Sequence, residues 1–197
     1  MSVIVCVKGA GRVCMACDSQ ATNNGAKATL GRAAAKIHRR GTLVFGAPSL
    51  AIIDAVRWHM PEPGELAVPL QDWAATVFIP WLRGWLKDRD LMERSKDGEL
   101  FLPAGVFVAH GGDYALVDTG SGVIVFDDAF RAMGSGWGEA HGAMWQAMSD
   151  ADGTEYMHDR RSADAAVTEY IARQGVLAAI ALDSGCGPPV VVEWTHP

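Results

Sequence analysis

The sequence has no surplus of basic charge: its 17 Lys and Arg stand against 23 Asp and Glu, for a net charge of −6 over 197 residues. A phosphate backbone binds chiefly by releasing counterions to a positive surface, so nucleic acid is not expected as a partner. Long hydrophobic runs are missing as well. The longest, such as residues 176–182, fall far short of the roughly 20 apolar residues of a membrane-spanning helix. Residues 1–8 carry no early positive charge, and their apolar stretch is too short for a signal core, so a cytoplasmic location and no membrane partner are expected. Cysteine is scarce. Cys6, Cys14, Cys17 and Cys186 could form two disulfides in a secreted protein, but without a signal peptide they read as reduced thiols.

Familiar chemical motifs are also few. Cys14-Met15-Ala16-Cys17 has redox spacing, yet it falls in an expected strand. Residues three apart in a strand face opposite ways, so neither redox chemistry nor zinc binding is expected there. The six histidines, at positions 38, 59, 110, 141, 158 and 196, show no metal-binding spacing and read as surface or packing residues. No Gly-x-Ser-x-Gly turn occurs, and Gly134-Ser135-Gly136-Trp137-Gly138 lacks the lysine of a phosphate loop. No cofactor and no metal are expected.

What is present is an ordinary globular composition, 49% hydrophobic and 20% charged, sized for a single domain over residues 1–197. Residues 3–7 and 13–18 flank a Gly-Ala-Gly turn and predict a hairpin, and residues 36–38 and 42–45 predict a second about Arg40-Gly41. Ser49 is placed to cap a helix that runs to the breaker Pro61-Glu62-Pro63-Gly64. A second helix is predicted over 70–92, with Trp73, Val77, Trp81 and Trp85 four apart and a kink at Pro80. Its tryptophans read as core, with a subunit contact as the alternative for Trp73, Trp81 and Trp85. Short strands at 105–109, 114–118, 123–126 and 130–133 read as a meander. Helices at 139–148 and 163–181 and a closing strand at 189–194 complete the order. Strands and helices are segregated, which points to α+β layers rather than a doubly wound sheet.

Several residues that are unremarkable singly form a recognisable set. Ser2-Val3-Ile4-Val5-Cys6-Val7-Lys8-Gly9, then Ala16-Cys17-Asp18-Ser19-Gln20-Ala21-Thr22, Lys36-Ile37, Phe45-Gly46-Ala47, Gly134-Ser135-Gly136 and the Asp183–Gly187 segment follow one another along nearly the whole chain. This series resembles the proteasome-type N-terminal nucleophile hydrolases, the group of the proteasome β subunits and bacterial HslV. The resemblance implies a four-layer αββα sandwich, a self-assembled homo-oligomeric ring around a chamber, and cleavage of unfolded polypeptide, with an ATP-dependent unfoldase as a candidate partner.

It also implies roles. Ser2, exposed by removal of Met1, takes the nucleophile position where most active members have threonine. A chain-terminal amine titrates near ~8 and can serve as the base for its own hydroxyl, so such a site needs no histidine. Asp18 and Lys36 match the buried acid and lysine, with Lys27 as the competing lysine and a small insertion at 23–26. Ser135 and Asp183 match the residues that orient the amine. Cys186 stands where a second supporting serine is usual, and the Ala47 N–H is the implied oxyanion donor. Two other readings stay open: a catalytically inactive ring or scaffold protein of the same fold, and an amidohydrolase that acts on a small amide. Seven tryptophans in one domain of this size also predict that apolar surface is left for a subunit interface.

Overall fold

A computed structural model of the chain describes residues 2–23, 26–152 and 164–196. The chain opens with β1 (Val3–Gly9) and β2 (Arg12–Cys17), joined by a two-residue turn in which Ala10 and Gly11 have φ of 52° and 69°. Both angles being positive, the turn matches the twist of the strands it joins, and Gly11 adopts it without steric cost. A ribbon of β3 (Gln20–Asn23) and β4 (Ala26–Thr29) follows, then the hairpin of β5 (Ile37–Arg40) and β6 (Leu43–Gly46).

Helix α1 (Leu50–His59) begins at Ser49, whose side chain makes no capping bond. Helices α2 (Leu70–Trp73) and α3 (Ile79–Lys87) are continuous through a π-helical stretch at Ala74–Phe78. Pro80 explains the interruption: it has no N–H for the carbonyl four residues back, and the wider turn just before it accommodates the ring. The helix stops at Lys87 and does not reach the expected 92, because the chain turns at Asp90 with φ 55°. Next come a short pair, β7 (Glu93–Arg94) and β8 (Leu100–Phe101), and the strands β9 (Val106–His110), β10 (Asp113–Val117), β11 (Val123–Val125) and β12 (Phe130–Gly134). Helices α4 (Trp137–Asp152) and α5 (Ala165–Leu182) precede the last strand, β13 (Val191–Trp194).

Two sheets result, with strand orders β12-β1-β2-β13 and β11-β10-β9-β6-β5. The expected four-strand meander is thus only three strands long. Strand β12 leaves it to pair antiparallel with β1 in the other sheet, which sets Gly134 opposite Val3.

Side-chain alternation sorts the core into three interfaces. Val3, Val5, Val7, Cys14 and Ala16 face α4 and α5, where Met144, Ile171 and Val176 cover them. Their neighbours Ile4, Cys6, Val13, Met15 and Cys17 face the second sheet at Ile37, Val44, Phe107 and Tyr114. The far face of that sheet, with Leu43, Phe45, Val106 and Val108, packs on α1, the π-helical stretch and α3 through Ile52, Ile53, Phe78 and Leu82. The layers are therefore helix, sheet, sheet, helix, an α+β αββα sandwich. Strand β1 is buried on both faces along its whole length, which is why Val3 to Val7 read as a continuous apolar run.

Cys14 and Cys17 lie in different interfaces, as their strand spacing requires. All four cysteines are free and buried, and burial pushes the Cys17 thiol up to about 12. Trp73 is core, and Trp81 and Trp85 pack against the same cluster. The exposed tryptophans are Trp58, Trp137 and Trp145 instead.

Candidate active site around Ser2

Ser2 lies immediately before β1 and is 1% exposed. Its backbone N donates to Ser135 Oγ at 3.1 Å, and its carbonyl accepts from the Gly136 N–H at 3.3 Å. Both partners come from the turn between β12 and α4. Only glycine fits at its start. Gly134 has φ +100°, and a Cβ there would lie inside the contact distance of the Ser2 carbonyl oxygen. At Gly136 a Cβ would stand 2.7 Å from Ala179 Cβ and 3.2 Å from Cys186 Sγ. The Gly-Ser-Gly sequence is therefore what lets this turn pass close to residue 2.

Gly134→Ala is accordingly expected to cost about 3 kcal/mol or more of stability, from strain and from displacement of Ser2. Chemical denaturation with an unchanged midpoint would contradict this close approach.

Ser135 passes the contact on. Its hydroxyl donates to Asp183 Oδ2 at 2.5 Å, and Asp183 Oδ1 accepts the Gly185 N–H at 2.8 Å. These two donors, Ser135 first, hold the Asp183 carboxyl below the ordinary aspartate range. A depressed folded value means that the stability linked to Asp183 is fully present above the ordinary range and is lost as pH falls through the folded value. Asp183 sits at the C-cap of α5, where the chain leaves the helix. Cys186 completes the turn: its Sγ donates to Asp183 Oδ2 at 3.6 Å. Burial, then the charges of Asp18 and Asp183, push the thiol up to about 12, so it acts as a weak neutral donor.

Beneath Ser2 lies a second cluster centred on Asp18, which is fully buried at the end of β2. Its Oδ1 accepts from Lys36 Nζ at 2.7 Å and from the Val3 N–H at 2.9 Å. Its Oδ2 accepts from the N–H groups of Gln20 at 3.0 Å and Gly187 at 3.1 Å. Four donors on one buried carboxylate satisfy its lone pairs and tie together β1, the β3–β4 ribbon, the loop after α5 and Lys36. Lys36 is itself only 1% exposed. Lys27, the competing lysine, is on exposed β4 and reaches the Ser184 carbonyl instead, at 2.5 Å.

Ala47 behaves differently from its expected role. Its N–H donates to the Lys36 carbonyl at 3.0 Å, continuing the β5–β6 hairpin by one rung. It is not an unengaged oxyanion donor, and it could serve an oxyanion only by sharing its proton between two acceptors. The next residue, Pro48, has no N–H to offer.

The structure thus gathers Ser2, Ser135, Asp183 and Cys186 into one network and Asp18 and Lys36 into another joined to it at Val3. Grooves of about 320 Å³ beside β13 and about 290 Å³ beside α3 are lined by none of these residues. Hydrogen bonding and burial mark this site. Sequence reasoning placed Gln20, Gly187 and Ser19 in the matched series but missed their roles: the first two donate backbone N–H groups to Asp18, and the Ser19 hydroxyl donates to the Pro189 carbonyl at 2.6 Å. Asn24-Gly25 is a hairpin signal and could have revealed the ribbon that carries Gln20 and Lys27.

Among solved structures, the chain is similar to Thiobacillus denitrificans BPH, with 23% identity and a TM-score of 0.70 over 98% of this chain and 97% of that one. It is similar to the same organism's BPH in complex with epoxomicin, at 24% identity and a TM-score of 0.71 over 99% and 100% of the two chains. Eukaryotic HslV from Trypanosoma brucei matches at 22% identity and a TM-score of 0.61 over 98% and 99%. No protein-family model matches the sequence, and no curated protein sequence is similar to it. At these identities the likeness establishes the fold: the αββα sandwich is that of HslV-type structures over essentially the whole chain.

Proposed function

We propose that this chain is a proteasome-like peptidase subunit that uses Ser2, exposed by removal of Met1, as a serine-type N-terminal nucleophile. The observation that carries the reading is the contact between Ser2 N and Ser135 Oγ at 3.1 Å, backed by Asp183. With Met1 removed, that nitrogen is a chain-terminal amine held by a hydroxyl, beside its own Oγ.

In the proposed reaction the amine takes the Ser2 Oγ proton as the oxygen bonds to the scissile carbonyl carbon. The resulting ammonium returns the proton to the leaving amine as the C–N bond breaks, which leaves an acyl ester on Ser2. Water, deprotonated by the same amine, then releases the second product and restores the hydroxyl. Lys36, carried on the Asp18 carboxylate that also holds the Val3 N–H, supplies positive charge near the nucleophile and favours its deprotonated forms. Ser135 and Asp183 fix the amine's direction. The substrate is unfolded polypeptide, admitted to a cytoplasmic homo-oligomeric ring and supplied by an ATP-dependent unfoldase. The exposed Trp58, Trp137 and Trp145 are the apolar surface such an assembly would cover.

One observation favours a second reading, an inactive ring subunit of the same fold: the engaged Ala47 N–H. Three measurements on the purified protein separate the two. An active subunit has an intact mass lower by one methionine, forms a covalent adduct with epoxomicin, the compound in the BPH complex, and scatters light as a particle many times the mass of one chain. Retained Met1 with no adduct favours the inactive reading, and a monomer at micromolar concentration overturns the ring.

A further inference from the structure

The loop that carries Asp183 is held from outside by the β3–β4 ribbon. Ser184, next to Asp183, presents its carbonyl to two side chains of that ribbon: Lys27 Nζ from β4 at 2.5 Å and Gln20 Nε2 from β3 at 3.1 Å. Behind this point the loop is fastened by the Gly187 N–H on Asp18 and by the Ser19 N–H on the Gly187 carbonyl, at 2.8 Å. A Cβ at Gly187 would come within 2.7 Å of Gln20 Oε1, so Gln20 and the loop are already in close contact. Ser184 is the one residue between Asp183 and the Gly185 N–H that Asp183 accepts.

We propose that Lys27 is a positioning residue: its ammonium on the Ser184 carbonyl, with Gln20 beside it, sets the Asp183 carboxylate against Ser135 and so aims the Ser2 nitrogen. This rests on the function proposed above and adds to it a cationic latch outside the buried cluster. A charged donor makes a shorter and stronger bond to a carbonyl than a neutral one does, and a displacement of about 1 Å at a positioning group can cost about a hundredfold in rate. The latch also links the ribbon to the site. A shift of the ribbon pulls on Ser184, and through Asp183 and Ser135 it reaches Ser2.

The test uses the full-length assembled protein with Met1 removed. Lys27→Met keeps the aliphatic stem and removes the ammonium. It is expected to lower kcat about tenfold while KM changes less than about twofold. As the Asp183 carboxylate shifts off Ser135 it stands farther from the terminal amine, the ammonium loses a stabilising negative charge, and the acidic limb of the kcat profile, which follows the amine acting as base, moves to lower pH. Lys27→Arg, which can reach the same carbonyl, restores both. Hydrogen exchange followed by mass spectrometry over residues 183–189 gives a readout independent of activity, with exchange rising about tenfold in Lys27→Met and further in Lys27→Met/Gln20→Met. Unchanged exchange in the double variant overturns the latch, as does a loss of thermal stability with no change in the acidic limb. If the parent protein hydrolyses no peptide, the peptidase reading fails, and the exchange result still decides the latch.

Discussion

Ser2→Ala is expected to lower kcat/KM on a fluorogenic peptide at least about 10⁴-fold, with stability changed by no more than about 1 kcal/mol. The asymmetry follows from position. Ser2 precedes β1, and its backbone contacts, the nitrogen on Ser135 and the carbonyl on the Gly136 N–H, are kept by the variant. Only the hydroxyl is lost, and with it the atom that bonds to substrate carbon. Ser2→Thr keeps that oxygen and adds one methyl group, so it is expected to retain or raise activity. If Ser2→Ala hydrolyses peptide at the parent rate, the nucleophile is some other group and the proposed mechanism ends there. Assembly, read by light scattering, should be the same in all three proteins, so a loss of rate cannot be assigned to a loss of the ring.

The fold was readable where local signals agree with tertiary context. The opening hairpin has alternating apolar residues around a Gly-containing turn, and both hairpins, α1, α4, α5 and β13 lie close to their expected places. What escaped was governed by partners distant in sequence. Strand β12 has the same local texture as β9 to β11, and only its pairing with β1 sends it to the other sheet. The helix after residue 70 ends early because of a backbone reversal at Asp90 that no apolar spacing encodes.

The site divides in the same way. Ser2, Asp18, Lys36, Ser135 and Asp183 were legible as an ordered series, and the choice between Lys36 and Lys27 turns on reach. Both follow Asp18 within 18 positions, but Lys36 leads into a buried strand whereas Lys27 sits on an exposed ribbon. The role of Gln20 and Gly187 as backbone donors to Asp18 was not legible, because an N–H carries no residue identity. The engagement of the Ala47 N–H was hidden for the same reason.

The pair beneath Ser2 gives the other large effect. Lys36→Met leaves the Asp18 carboxylate buried with its backbone donors and no counter-charge, and breaking a buried pair in this way costs about 3–5 kcal/mol. Peptide hydrolysis is expected to fall about 10²–10⁴-fold as the positive charge near Ser2 is lost. A protein this destabilised could lose activity merely by unfolding, so the informative variant is the double one, Asp18→Asn/Lys36→Met. It removes both charges together. Asparagine keeps the shape of the carboxyl and, with its oxygen toward the Gln20 and Gly187 N–H groups, loses only the acceptor of the Val3 N–H, so removing the uncompensated buried charge recovers part of the stability that the single change loses. Chemical denaturation should therefore place the double variant above Lys36→Met, while peptide hydrolysis stays as low as in the single variant, because neither residue can now favour the deprotonated hydroxyl. If Asp18 and Lys36 form only a strand-end bridge, activity returns along with stability in the double variant, and the charge beneath Ser2 has no part in the chemistry.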